Sequence, residues 1–170
     1  STLRGVIQSK EQSLFNRGVY QEKMIEQDRN RIERWYQERG YIDARVTEVA
    51  RDIERNEEEM RSTVVLTFFI EEGEQYTFGG IEFQGNTIFT NEELADLVRL
   101  DEGETLDLTQ LDADYQRIAD RYYQNGYIFN QITRTAQRDE EENVVSYTVQ
   151  IVERNRAHIE NIIIRGNEKT

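Results

Sequence analysis

The chain's most plentiful reactive groups are carboxylates: 34 of its 170 residues are Asp or Glu. A glycoside hydrolase needs only two carboxyl groups suitably spaced across a sugar bond. At this abundance close pairs are unavoidable, so the carboxylates alone do not argue for hydrolysis. The one histidine, His158, falls in a linker, which gives no support to a Ser-His-Asp relay or a histidine-rich metal site. Cysteine is absent, so disulfides and thiolate sites are excluded and the redox compartment stays open. No Gly-x-Gly-x-x-Gly turn or Walker loop occurs. The expectation is a chain with no catalytic residues, no metal and no cofactor. The chemistry left to it is that of main-chain N–H and C=O groups at a sheet margin.

A net charge of −13 repels a phosphate backbone, which excludes nucleic acid as a natural partner and disfavours anionic membrane surfaces. Charged residues at 32% and a mean hydropathy of −0.82 lean toward disorder, but aromatics at 10% and clear apolar periodicities predict a fold. No apolar run approaches the ~20 residues that span a bilayer. Ser1 begins neither a signal peptide nor a natural start, so the chain reads as a piece of a longer protein.

The elements that carry this main chain recur. Ile81-Glu-Phe-Gln-Gly-Asn86 returns 81 residues later as Ile162-Ile-Ile-Arg-Gly-Asn167, a strand closed by a Gly-Asn turn. Arg31, Ile32, Tyr36 and Gly40-Tyr41-Ile42 return 86 residues later as Arg117, Ile118, Tyr122 and Gly126-Tyr127-Ile128, a helix with its glycine stop. Val64, Leu66, Phe68, Ile70 and Glu72 match Val145, Tyr147, Val149, Ile151 and Glu153, alternating as strands do. Leu3, Val6 and Ile7 match Leu94, Leu97 and Val98 at an offset of 91. Length changes therefore fall in two connections, as expected of duplicated modules whose loops tolerate insertion.

The second copy reads as a strand at 81–84, a short helix opened by the capping box Thr90-Asn-Glu-Glu93 and running through Leu94, Leu97 and Val98, and a longer helix from Asp107 to Asn125-Gly126. A strand over 128–138, a polar loop at 139–143 and a return strand over 144–153 follow. The fold class is α+β, with tandem β-α-α-β-β modules, each a three-stranded mixed sheet carrying two helices on one face. Residues 1–73 hold a module lacking its first strand, 74–155 a complete one, and 156–170 the first strand of another. Trp35, Tyr36 and Tyr122 sit in core register, and the acidic runs at 57–59 and 139–142 read as solvated loop tips.

This order, the Gly-Asn after strand one, the Tyr-x-x-x-Gly-Tyr helix ending and the string Arg34-Trp-Tyr-Gln-Glu-Arg-Gly-Tyr41 resemble POTRA (polypeptide-transport-associated) domains, most closely the central ones of outer-membrane barrel-assembly factors. The resemblance covers nearly the whole chain. It implies a periplasmic location within a protein anchored in the outer membrane, and as partners unfolded outer-membrane proteins, accessory lipoproteins and a C-terminal membrane β-barrel of the same parent chain. Two-partner secretion and autotransporter-assembly proteins share such modules, and a purely structural spacer is the alternative role.

The resemblance also nominates the second strand of each module as the open edge, here Ala44, Arg45, Val46, Thr47, Glu48 and Val49, and Asn130, Gln131, Ile132, Thr133, Arg134 and Thr135. An extended client pairs with such an edge by β-augmentation. Strand parity adds Val65 and Phe69 as an outward apolar pair where the second copy has Ser146 and Gln150. Between the modules, Glu72, Gly73, Tyr76, Phe78, Gly79 and Gly80 are the expected hinge.

Overall fold

A computed structural model describes residues 18–56, 61–158 and 160–163. The helix expected around Leu3, Val6 and Ile7, the acidic run 57–59 and most of the strand 162–167 lie outside these residues; Ile162 and Ile163 themselves are not in a strand.

In the first module, helix α1 (Gly18–Gln37) lies against a two-stranded antiparallel sheet of β1 (Arg45–Asn56) and β2 (Arg61–Glu71). Ile25, Asp28, Ile32 and Tyr36 recur at helical spacing and form its buried stripe. Among the described residues this module has two strands, not three. In the second module, β3 (Thr77–Gln84), α2 (Asn91–Ala95), α3 (Leu108–Gln124), β4 (Gln131–Asp139) and β5 (Val144–Val152) give the β-α-α-β-β order. The sheet order is β3-β5-β4, with β3 parallel and β4 antiparallel to the central β5, so it is mixed as expected. Val145, Tyr147, Val149 and Ile151 turn one face of β5 into the core against Leu94, Leu111, Ile118 and Tyr122 of the helices.

Both helix starts form for the reasons written in the sequence. Thr90 and Glu93 exchange bonds with each other's backbone amides in a complete capping box, and Asp107 accepts from the Gln110 amide. Both long helices end alike: the amides of Tyr41 and Tyr127 return to the carbonyls of Tyr36 and Tyr122 around Gly40 (φ +85°) and Gly126 (φ +88°).

Three boundaries differ from expectation. The short helix stops at Ala95, before Leu97 and Val98, which lie in the following turn. The strand expected from 128 begins at Gln131, because the Asn130 side chain and amide both bond the Tyr127 carbonyl and hold 127–130 in a turn. The strand expected from 81 begins at Thr77. It runs through Gly79 and Gly80 with a bulge between Phe78 and Ile81, because the carbonyl of Gly79 takes the Ser146 hydroxyl and leaves the regular ladder.

Candidate functional site at two open sheet edges

Among the described residues each nominated strand pairs on one side only: β1 with β2, and β4 with β5. Residues directly opposite in a ladder share a face. In β4, Ile132, Arg134, Ala136 and Arg138 stand opposite Ile151, Val149, Tyr147 and Val145, which puts them on the helix side. In β1 the ladder shifts between Val46 and Glu48, leaving Thr47 as an extra residue. Beyond that bulge Val49, Arg51 and Ile53 stand opposite Phe68, Leu66 and Val64, so they take the helix side. Glu48, Ala50 and Asp52 turn to the outer face with Phe69, Thr67 and Val65.

The two edges are dressed differently. Arg134 lies 4.6 Å from the Tyr115 ring centroid and pairs with Asp112 of α3. Arg138 donates to both carboxylate oxygens of Asp43 at 3.0 Å and lies 5.8 Å from the Tyr76 ring. Arg134 thus spans the groove between α3 and β4, whereas Arg138 reaches past α3 to the junction with the first module. On β1 the matching places hold Val49 and Ile53, and Ile53 is 63% exposed. A groove between α1 and β1 is lined by Ile25, Val49, Arg51 and charged residues including Glu22, Glu26 and Arg29. One weak pair, Arg51–Glu22 at 3.9 Å, crosses it.

Each sheet is locked to its helix by the same bond. Tyr36 donates its hydroxyl to Glu72 at 2.6 Å, and Tyr122 donates to Glu153 at 2.8 Å. Burial, and then the bond to Glu72, push Tyr36 up to about 12. Burial alone would raise Glu153. The Thr87 hydroxyl, the Ile88 amide, the Tyr122 hydroxyl and the Thr87 amide all donate to it and outweigh burial, holding its carboxyl below the usual range.

A family model described as "POTRA: Surface antigen variable number repeat" matches residues 1–73 and again 76–154. The chain belongs to the POTRA family. These POTRA modules are similar to a putative outer membrane protein assembly factor of Treponema pallidum, 38% identical over 170 residues, which is 100% of this chain and 20% of that protein. They are also similar to the outer membrane protein assembly factor BamA of Nitratidesulfovibrio vulgaris, 28% identical over 178 residues, 100% of this chain and 22% of that protein. The chain thus spans about a fifth of the length of these curated relatives. Among solved structures, BamA from Haemophilus ducreyi lacking POTRA domains 1-3 superposes with a TM-score of 0.63 at 20% identity, over 90% of this chain and 26% of that one. Haemophilus influenzae BamA POTRA3-5 gives 0.59 at 22% identity, over 78% and 51%. Both likenesses are of fold.

Within the first POTRA module the nominated edge is only partly available. Ala44 precedes β1 and is buried with Val46, because both pack on Ile32 and Tyr36, and the Val46 amide already donates to Glu33 of α1 at 2.9 Å. Arg45 is tied to Glu71, and the Thr47 hydroxyl bonds the Phe69 carbonyl. The regular margin therefore starts at Glu48 and Val49. Val65 and Phe69 are 39% and 47% exposed on the outer face, as parity predicts. In the second module Asn130 belongs to the turn before β4, Ile132 packs on the core, and Gln131, Thr133, Arg134 and Thr135 are exposed on the edge. Trp35 is half-buried beside Tyr36, which with Tyr122 is core.

The expected hinge divides: Tyr76 and Phe78 are core residues of the second module, Gly79–Gly80 form the β3 bulge and Glu72 is held by Tyr36 of the first, which of the expected hinge residues leaves Gly73 (φ +72°) between the modules.

Two residues went unremarked in the sequence. Asp28 and Asp114, 86 apart and each three before a repeated arginine, are completely buried. Asp114 accepts from the amides of Arg99 and Leu100, from Gln110 and from Arg117, and so fastens the loop after α2 to α3. Their shared spacing with Arg31 and Arg117 was the signal available.

Proposed function

We propose that these POTRA modules belong to the periplasmic part of an outer-membrane β-barrel assembly factor, anchored by a C-terminal barrel of the same parent chain. They receive unfolded outer-membrane proteins as extended segments added to a sheet edge, serve as a platform for accessory lipoproteins, and catalyse nothing. The reading rests on one observation above all: among the described residues β1 and β4 each have a neighbour on one side only, so a row of main-chain donors and acceptors on the other side faces outward. Pairing with main chain accepts many sequences, which suits a factor with many clients. The relatives named as assembly factors supply the cellular setting.

A titration tests this. A peptide with alternating apolar residues is added to the isotope-labelled chain, and amide shifts are followed by NMR. Shifts along β1 or β4 are expected, and they should vanish when the peptide is N-methylated at alternate residues. Shifts that survive methylation, or that map to α1 and α3, refute strand addition. Methylating the client is preferable to placing proline at Val46, whose amide already serves Glu33.

A further inference from the structure

The two outer strands differ in charge as well as in apolar cover. Past the Thr47 bulge the outer row of β1 is Glu48, Ala50 and Asp52. Both carboxylates are exposed, and neither has an ion-pair partner among the described residues. Arg45 and Arg51 do not serve them: Arg45, ahead of the bulge, is tied to Glu71, and Arg51, on the helix side, pairs with Glu22. Across the ladder Glu48 stands opposite Phe69 and Asp52 opposite Val65, two exposed apolar side chains that offer no counter-charge. A strand added at the open margin sets its own outer row directly beside both carboxylates, which lie four residues apart, or about 13 Å along an extended chain.

β4 carries the opposite charge. From Gln131 to Arg138 it has no carboxylate. Its outer row is Thr133, Thr135 and Gln137, and its helix-side row holds Arg134 and Arg138. The carboxylates that pair with these arginines come from elsewhere, Asp112 from α3 and Asp43 from the first module.

We infer that β1 selects extended segments that are apolar along one side and cationic along the other, with basic residues four apart, and that β4 turns the same segments away. The inference rests on strand addition and says which strands are taken. Directly opposed cross-strand pairs of unlike charge are favourable, and those of like charge are unfavourable. On β1 the basic residues meet Glu48 and Asp52 while the apolar side meets Val49 and Ile53. On β4 one register sets the basic residues against Arg134 and Arg138. The other sets them against Thr133 and Gln137, where they gain nothing, and drives the apolar residues onto the arginines. Selection thus comes from repulsion at one margin as well as attraction at the other.

Two blocked peptides test this: Thr-Lys-Val-Thr-Val-Lys-Val-Thr, and the same sequence with glutamate for both lysines. Each is titrated into the isotope-labelled 170-residue chain, with amide shifts followed by NMR. At β1 the lysine peptide is expected to bind at least about tenfold more tightly than the glutamate peptide, a difference of roughly 1.4 kcal/mol. It should also bind β1 more tightly than β4, and the gap between the peptides should narrow in high salt. Glu48→Lys combined with Asp52→Lys should reverse the order of the two peptides at β1, and Glu48→Gln combined with Asp52→Asn should level it. Both positions are exposed, so the fold tolerates either pair. Equal affinities of the two peptides at β1, tighter binding of the lysine peptide at β4, or an unchanged order in the charge-reversed variant would each overturn the inference. Strand addition would survive those results as long as N-methylation at alternate residues abolishes the shifts. Shifts that persist after methylation would overturn strand addition and the inference together.

Discussion

β1 and β4 occupy the same place in their modules, yet one turns Val46, Val49, Arg51 and Ile53 toward its helix and the other Ile132, Arg134, Ala136 and Arg138. The frames that carry them are alike: a buried Asp, a Tyr–Glu bond and a glycine-stopped helix occur in both. Much of the divergence thus lies at the margin, where a substitution costs little stability and changes what can lie alongside. An arginine stacked on an aromatic ring must be displaced before an apolar client residue can enter the groove, whereas a half-exposed Val or Ile gains by being covered. Strand addition is accordingly expected to favour the first module beyond the Thr47 bulge.

The frames also differ in one anchor, and the largest expected effect lies there. Glu153 accepts from Thr87, Ile88 and Tyr122, while Glu72 accepts from Tyr36. Glu153→Ala should destabilise the second module by about 3 kcal/mol and Glu72→Ala the first by about 1 kcal/mol, since stranded donors to a carboxylate cost more than a single lost bond. Urea unfolding separates them, because Trp35, the chain's single tryptophan, reports on the first module by fluorescence while circular dichroism follows both. Equal losses would show that the two anchors do the same work.

The next effect concerns the edge. Arg134→Val combined with Arg138→Ile gives β4 the residues that β1 carries in those two places, and affinity for an alternating apolar peptide there should rise about tenfold, roughly 1.4 kcal/mol. Val49→Arg should weaken binding at β1. A peptide that prefers β4 in the unaltered chain would reverse the comparison.

The pH dependence separates the anchors again. Glu153 is held below its ordinary value, so the stability it contributes is present at neutral pH and is lost as pH falls through its depressed value. Tyr36 is raised from 10.0 to about 12, so its contribution is complete below pH 10 and is lost as pH climbs toward 12. Melting curves across both ranges should show a smaller acid loss in Glu153→Gln and a smaller alkaline loss in Tyr36→Phe, in which Tyr115, Tyr122 and Tyr147, also raised by burial, still contribute. The smallest effect belongs to the junction between the modules: Asp43→Asn removes an ion pair whose members are both more than two-fifths exposed, and it should cost under about 1 kcal/mol, less in high salt.

Much of this frame was legible in the residues. The Thr90–Glu93 box, the helix stripes, the glycine stops and the alternation of β2 and β5 depend on neighbours a few positions away, and the sequence displays those directly. The outward placement of Val65 and Phe69 followed from parity alone. The strand starts were less legible, because the Asn130 turn and the Ser146–Gly79 bond act against the β pattern around them.

Composition and period, then, determined that the chain folds as repeated α+β modules and which side of β2 and β5 faces the helices. Tertiary structure alone decided which side chains dress the outer strands β1 and β4. An offset of 86 aligns Val49 with Thr135, but the Thr47 bulge puts Val49 in the position of Arg134, and nothing local marks a bulge that exists only through pairing with β2. The stacking of Arg134 on Tyr115, the reach of Arg138 to Asp43 and the meeting of Gly40 with Tyr76 likewise join residues 19 to 95 positions apart. Such contacts are set by how the elements pack, which periodicity does not encode.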